Sequence, residues 1–353
     1  RDGGGNRSGT NLASLGLEPG AQSQFTVPPE KLIELGEDEV PTSLAVTAFK
    51  SLLKDPYRFV LEKVYKLRRL DDTACELDPM RFGDLAHEIL HRFGLRALES
   101  PPKVDVANES EVAGSLMDLL DEDLSTRFGE DVMPAVQLQA EQLKIRFRAF
   151  AKRQAEWAKD GWKIVAVECK AEGVPFDVDG KPFSLSGRID RIDHNPSTGK
   201  WAVLDYKTGA SVDPEEAHRK SRGRDDHQWI DLQLPLYRRL LSEIFDGDGR
   251  RVIDIDGAEQ SRIRFGFVSL PQDVEETEFM MASWTEEDFV SAEDAARQVV
   301  RHLREASFEF DPEVTKATRY GQDLLDPLLI VGWQAGNEPE DAVDGGTQRA
   351  GEQ

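Results

Sequence analysis

"GRIDRIDHNPSTGKWAVLDYKTG" (187–209) carries two alternating polar and apolar runs on either side of a turn candidate, Pro196–Gly199. Proline presets φ for a turn and glycine relieves strain at its end. A hairpin centred there puts Asp190 opposite Asp205, and strand alternation adds Lys207 to the same face. Bulges at Gly187 or Gly199 would allow the register to slip by one residue.

Two carboxylates facing each other across a hairpin repel and destabilise it. A hard divalent cation reverses that penalty. Aspartate oxygens with open water positions suit Mg²⁺, which keeps waters and binds phosphate oxygens. Lys207 beside such a cation suits the orientation of a water or the stabilisation of negative charge at phosphorus. The competing reading is an exposed Asp190 with Lys207 paired to Asp205 as an ordinary salt bridge.

Outward from the hairpin, "TSLAVTAFKSLLKDPYRFVLEKVY" (42–65) reads as a capped helix broken at Asp55-Pro56. Helices are expected over about 80–98, 110–127 and 134–160, then a β-meander over 162–209. A helix over about 229–245, strands at 262–270 and 277–284, and a helix over 285–306 follow. That order predicts an α/β domain: a mixed central sheet flanked by helices, with an N-terminal helical segment. Residues 1–40 and 336–353, rich in Gly, Pro, Ser and acidic residues, read as a disordered linker and tail around one domain at 41–335.

"HEILH" (87–91) matches the H-E-x-x-H pattern of zinc proteases. The extended pattern needs a third histidine where Ala97 stands, leaving Glu109 or Glu111 as substitutes. On a helical wheel, Phe82, Leu85, Ile89 and Phe93 form the apolar stripe. His87 lies slightly nearer that stripe than His91, so geometry barely separates the two.

The formal net charge of −23 repels polyanions in the mean field. The charge is uneven: residues 271–294 hold nine acidic and no basic side chains, while 54–69 net +4, 142–163 net +5, and "RKSRGR" (219–224) adds four cations. Because screening limits interactions to about 10 Å, such stripes can still hold a polyanion. Two cysteines, Cys75 and Cys169, supply neither a disulfide framework nor a four-cysteine cluster and suit a reducing cytoplasm. No 18-residue apolar run is present, so no transmembrane helix is expected. The start, "RDGGGNRSGT", has neither methionine nor a signal core and reads as the upstream end of an excised fragment.

"GRID", then "VLDYKTG" about a dozen residues later, resembles motifs II and III of the PD-(D/E)XK nuclease superfamily, most closely the nuclease domains of the bacterial helicase–nuclease subunits RecB and AddB. "FGDLAHEIL" (82–90) resembles that group's G-x-x-x-H motif and places Gly83 and His87. "DLQLPLYRRLL" (231–241) resembles its Q-x-x-x-Y motif and places Gln233 and Tyr237. "LAVTAFKSLLKDPYRFVLEKVYKLRRLDD" (44–72) is similar to the AddB-type N-terminal segment.

The resemblance implies a restriction-endonuclease-like fold and a Mg²⁺-dependent deoxyribonuclease, with Mn²⁺ as a substitute, acting on single-stranded DNA ends in break repair. His87, Asp190, Asp205 and the Tyr206 carbonyl would hold the metal, and Lys207 would position water or stabilise phosphorus. Gln233, Tyr237 and Arg188 would support the site or contact DNA, and Glu168 is left as an outer supporter of the metal or a structural residue. His91 is assigned to the surface. A helicase region or subunit would accompany the domain, and neither a membrane nor zinc is expected. The C-terminal segment lacks the cysteines that staple many AddB-type domains, so no iron–sulfur cluster is expected. Packing through Leu324, Leu325, Leu328, Leu329 and Trp333 would hold the ends instead. The alternatives are a non-enzymatic DNA-binding scaffold of the same fold and, more remotely, the zinc protease.

Overall fold

The structure, a computed structural model, describes residues 33–34, 40–66, 76–129, 132–221, 227–246, 248–253, 262–305 and 307–308. The long strand β4 (Ser184–Asn195) organises the sheet. Along one edge it pairs antiparallel with β3 (Lys163–Pro175). Its other edge is shared: β2 (Ser43–Ala45) runs parallel to Ser184–Ser186, and β5 (Lys200–Lys207) runs antiparallel to Arg191–Asn195. Gly187 to Asp190 therefore have no ladder partner on that edge among the described residues. Beyond β5 come the parallel strand β8 (Ile263–Ser269) and the antiparallel strand β9 (Glu278–Met281), which makes the sheet mixed.

The hairpin register is the expected one: Arg191 pairs with Leu204 and Asn195 with Lys200, so Asp190 stands opposite Asp205. The Asn195 carbonyl accepts from Thr198 N and Gly199 N, and Gly199 takes φ +65°, a left-handed conformation suited to glycine.

One face of the sheet is covered by α3 (Pro79–Leu98), α4 (Glu109–Phe128) and α5 (Pro134–Lys159). Leu85, Ile89 and Phe93 of α3, Leu116 and Leu119 of α4, and Phe147 and Phe150 of α5 join Ala202, Leu204 and Tyr206 of β5 in one buried cluster. Each buried Leu, Ile or Phe among them contributes about 1.5–3 kcal/mol through burial. On the other side of the sheet, α7 (Gln233–Leu240) packs at the gap in the β4 edge. A Cβ on Gly187 would lie 2.6 Å from Leu240 Cδ1 and 2.9 Å from Val46 Cγ2, so glycine there lets helix and strand meet. The helix α8 (Glu286–Arg304) opens with a Thr285–Asp288 capping box.

Three sequence expectations change. Ser43–Ala45 is a strand, and the helix begins only at α1 (Ala48–Lys54), because three residues are too few to show a period. The break at Asp55-Pro56 is present: α2 (Pro56–Phe59) restarts with the Asp55 carboxylate accepting from Arg58 N and continues as a π-turn to Val64. The helix expected from 229 begins at Gln233, since β6 (Arg219–Ser221) and β7 (His227–Trp229) form a small hairpin before it. Within the supposed linker, β1 (Ile33–Glu34) pairs antiparallel with β10 (Ser307–Phe308) as a separate unit. The remainder of the linker up to residue 39, the tail and the apolar residues from Leu324 to Trp333 lie outside the described residues.

Gly266 of β8 leaves no room for a side chain, because a Cβ would lie 2.1 Å from the Met280 carbonyl oxygen. Gly114, on the exposed face of α4, meets nothing within 4 Å. Gly266→Ala is expected to lower stability by about 1–3 kcal/mol and Gly114→Ala to raise it by about 0.5–1 kcal/mol, as read from thermal unfolding.

Candidate active site

Three strands and two helices, α3 and α7, deliver the site. Asp78 caps α3 through Arg81 N, Pro79 starts it, and its apolar stripe seats His87 half-buried at the edge of the sheet. The flanking pairs Val167–Arg191 and Cys169–Ile189 set Glu168 of β3 opposite Asp190. Glu168, Asp190 and Asp205 thus stand across three adjacent strands. Glu168 takes φ +50°, a strained conformation for a non-glycine residue, and such strain clusters at functional sites.

His87 Nε2 lies 3.1 Å from the Tyr206 carbonyl oxygen, and Nδ1 lies 3.4 Å from Asp190 Oδ2. Both ring nitrogens face oxygen, so a neutral imidazole sets one nitrogen lone pair against an oxygen. Asp190 Oδ2 also accepts from Tyr206 N at 2.8 Å. Asp205 Oδ1 accepts from Gln233 Nε2 at 2.5 Å and from the Tyr237 hydroxyl at 3.0 Å. Lys207 Nζ lies 2.7 Å from Asp205 Oδ2; among the described residues no other donor reaches that buried oxygen. Arg188, half exposed, pairs with Glu168 Oε2 at 2.6 Å.

Burial and the facing Asp205 push the Asp190 carboxyl well above its usual range, against the pull of Tyr206 N–H. Burial likewise raises Glu168, with Arg188 opposing. For Lys207, burial acts downward but is outweighed by Asp205, and the ammonium is raised. Burial and Asp205 lift the Tyr237 phenol well above its ordinary value, so it remains a donor.

These groups line an open cleft of about 1130 Å³, which also takes in Asp84, Glu88, Arg127 and Lys170. The ligand atoms of His87, Glu168 and Asp190 lie within 4.8 Å of one another. Oxygen donors with one imidazole are the donor set of a hard divalent cation. The opposed carboxylates, the Asp205 oxygen with no donor but Lys207, and the doubly oxygen-facing His87 are all relieved by positive charge. The residues fit a metal ion.

The structure brings His87, Asp190 and the Tyr206 carbonyl together, and Lys207, Gln233 and Tyr237 around Asp205. The metal-capable group among the described residues is His87, Glu168 and Asp190, with Glu168 rather than Asp205 as its third member. Asp190 is buried, which removes the exposed-aspartate reading, whereas the Lys207–Asp205 ion pair is present as that reading had it. Gln233 and Tyr237 both hold Asp205. Glu168 is no solvent-facing residue: its side chain is 10 % exposed and sits beside His87 and Asp190. His91 is half-buried in the cleft wall rather than free on the surface, and burial lowers its pKa. It is not in the metal-capable cluster of described residues, so the two histidines of "HEILH" do not converge as a zinc pair.

Sequence reasoning missed Arg191 and Asp193, which are wholly buried behind Tyr206. Arg191 donates to both Asp193 oxygens, at 2.7 and 2.6 Å, and to Gln154 Oε1 at 2.7 Å. Its Nη1 lies 3.4 Å from the Tyr206 hydroxyl. Their signal was the second "RID" itself, a charged pair at alternate positions in an otherwise apolar strand.

A mixed sheet flanked by helices, with an acidic cluster where one strand's edge is left open, defines a restriction-endonuclease-like α/β protein. The chain belongs to the PD-(D/E)XK nuclease superfamily, which matches residues 43–320. Membership implies hydrolase activity of the nuclease type with divalent metal. The chain is also similar to uncharacterized protein RC0550 of Rickettsia conorii, 26% identical over 182 residues, covering 51% of this chain and 20% of that protein. An uncharacterized protein of Rickettsia bellii is 27% identical over 171 residues, 48% of this chain and 19% of its own length. The chain thus spans about a fifth of the curated relatives it matches. One solved structure, the crystal structure of SSO0001, is 13% identical with a TM-score of 0.24, covering 63% of this chain and 86% of that one, a likeness too slight to bear on the fold.

Asp190→Asn removes one of the opposed charges and keeps an acceptor for Tyr206 N–H. The metal-free variant is expected to melt above wild type by roughly 1–2 °C, the shift given by about 1 kcal/mol at about 2.1 cal/mol/K of unfolding entropy per residue. Adding Mn²⁺ should raise the melting temperature of wild type and leave that of the variant unchanged.

Proposed function

We propose that this chain is the nuclease domain, at 41–335, of a larger RecB/AddB-like DNA-repair protein, cutting single-stranded DNA ends with Mg²⁺ or Mn²⁺. The observation that carries this reading is the opposed pair Asp190 and Asp205 with Lys207 ion-paired to Asp205 at 2.7 Å and His87 beside Asp190 at 3.4 Å.

His87, Asp190, Asp205 and the Tyr206 carbonyl would hold the cation, with Glu168 alongside. When bound, the cation supplies Lewis-acid polarisation of a phosphoryl oxygen and a water of lowered pKa. Lys207 stays an ammonium at neutral pH, because Asp205 outweighs the effect of burial. It therefore does not take a proton; it neutralises charge as water's oxygen bonds to phosphorus and the ester P–O bond breaks, the proton that water loses being balanced by the one the departing ester oxygen takes up. Gln233 and Tyr237 keep Asp205 Oδ1 occupied and thereby orient its Oδ2. Arg188, half exposed on the cleft wall, tempers the charge of Glu168 and would be free to meet a phosphate.

The RecB/AddB-like subtype is supported by the order of the His87, Asp190, Asp205–Lys207 and Gln233–Tyr237 motifs. A helicase region in the full-length protein fits a domain that spans about a fifth of its relatives. No helix among the described residues is long and apolar enough to cross a membrane.

Labelled single-stranded DNA should be degraded by the chain with Mg²⁺ or Mn²⁺ and spared with EDTA. Lys207→Ala should lower the rate by about 100-fold or more, as loss of a charge-stabilising donor does. Intact, folded protein that cleaves with neither metal would leave the scaffold reading in its place.

A further inference from the structure

We propose that Asp231 is a positioning residue that aims the Gln233 amide at Asp205 and Lys207, with His218 holding the turn that carries it. The inference rests on the nuclease reading of the site. Gln233 is the first residue of α7, and Leu232 before it offers no side-chain cap. Asp231 supplies the missing acceptor: its Oδ1 takes the Gln233 backbone N–H at 2.9 Å. Its Oδ2 lies 3.0 Å from Lys50 Nζ of α1. The carboxylate is 4 % exposed, and a buried charge persists only when paired.

His218, the last residue of α6 (Pro214–His218) and 1 % exposed, fixes the same turn from behind. Its Nδ1 donates to the Pro214 carbonyl at 2.7 Å and its Nε2 accepts from Leu234 N at 3.4 Å, which together define one neutral tautomer. Its carbonyl accepts from Ile230 N at 2.8 Å and from Asp231 N at 3.3 Å. The helix start is therefore held at consecutive residues on both sides of Gln233.

The consequence falls on the Gln233 side chain. Its Nε2 donates to Asp205 Oδ1 and, at 2.7 Å, to the Tyr237 hydroxyl, while Oε1 lies 3.5 Å from Lys207 Nζ. Only this orientation serves both neighbours: reversed, the amide would set oxygen against carboxylate and NH₂ against ammonium. Asp231 thus reaches the reacting groups through one backbone bond and one amide, without touching substrate.

The test compares Asp231→Ala with Asp231→Asn, which keeps an acceptor for Gln233 N. Three readouts are used: thermal unfolding, kcat and KM on labelled single-stranded DNA with Mn²⁺, and the Gln233 side-chain NH₂ signal in ¹⁵N NMR, assigned by its loss in Gln233→Leu. Asp231→Ala should shift the Gln233 signal and lower kcat by about 10- to 100-fold, the usual cost of slight misplacement, with KM changed by less than about twofold. Asp231→Asn should keep the signal and restore most of kcat. An unmoved Gln233 signal in Asp231→Ala, or equal losses in the two variants, overturns the proposal. If Asp231→Ala does not fold, Asp231→Glu takes its place, keeping the charge but moving the acceptor by one methylene; a wild-type kcat there overturns the proposal equally. Wild-type protein inactive with either metal would instead sink the nuclease reading, while the NMR comparison still decides the role of Asp231.

Discussion

Negative charge crowded at the open edge of one strand governs this molecule. Glu168, Asp190 and Asp205 stand across three adjacent strands, and the two aspartates are almost excluded from water. Water would ordinarily solvate such charges, and a low-dielectric interior magnifies their repulsion. Several polar groups around them are turned to offset it: the Tyr206 N–H on Asp190, the Gln233 amide and Tyr237 hydroxyl on Asp205, Lys207 on its other oxygen, Arg188 on Glu168. The offset is incomplete, as the raised Asp190 and Glu168 carboxyls show. A divalent cation would complete it.

The fold makes this crowding possible by dividing the edge of β4 between two neighbours. β2 takes its beginning and β5 its end, and the unladdered stretch between them exposes Asp190 to the cleft. Behind the cleft the chain has spent polar residues on rigidity. The Arg191–Asp193 pair is wholly buried, with Gln154 and Trp157 completing its hydrogen bonds. Removing one partner from such a pair typically costs about 3–5 kcal/mol. That arrangement braces the Tyr206 ring, which also meets the His87 ring edge-on, while the Tyr206 backbone serves Asp190 and His87.

The hairpin was legible because its information is local. Pro196 and Gly199 mark the turn, and from there alternation alone puts Asp190 opposite Asp205 and Lys207 on their face. The long helices were legible because their apolar periods run over four or more turns. What escaped depends on contacts between distant segments. Ser43–Ala45 is a strand only because β4 offers it an edge. Glu168 turns toward His87 through a backbone angle that its side chain does not advertise. His87 and His91 are nearly equivalent on a helical wheel, and what distinguishes them is which one meets Tyr206, more than a hundred residues away. Asp231 looks like any polar residue before a helix until Lys50 and Gln233 close around it.

The cluster of His87, Glu168 and Asp190, with Asp205 opposite Asp190, is proposed to hold a divalent cation. Crystals of the protein soaked in Mn²⁺ and measured for anomalous scattering test it most directly. One dominant peak is expected in contact with His87 and Asp190, beside Glu168 and Asp205. A peak seated on His91 and Glu88, or no peak in the cleft at saturating Mn²⁺, would contradict it.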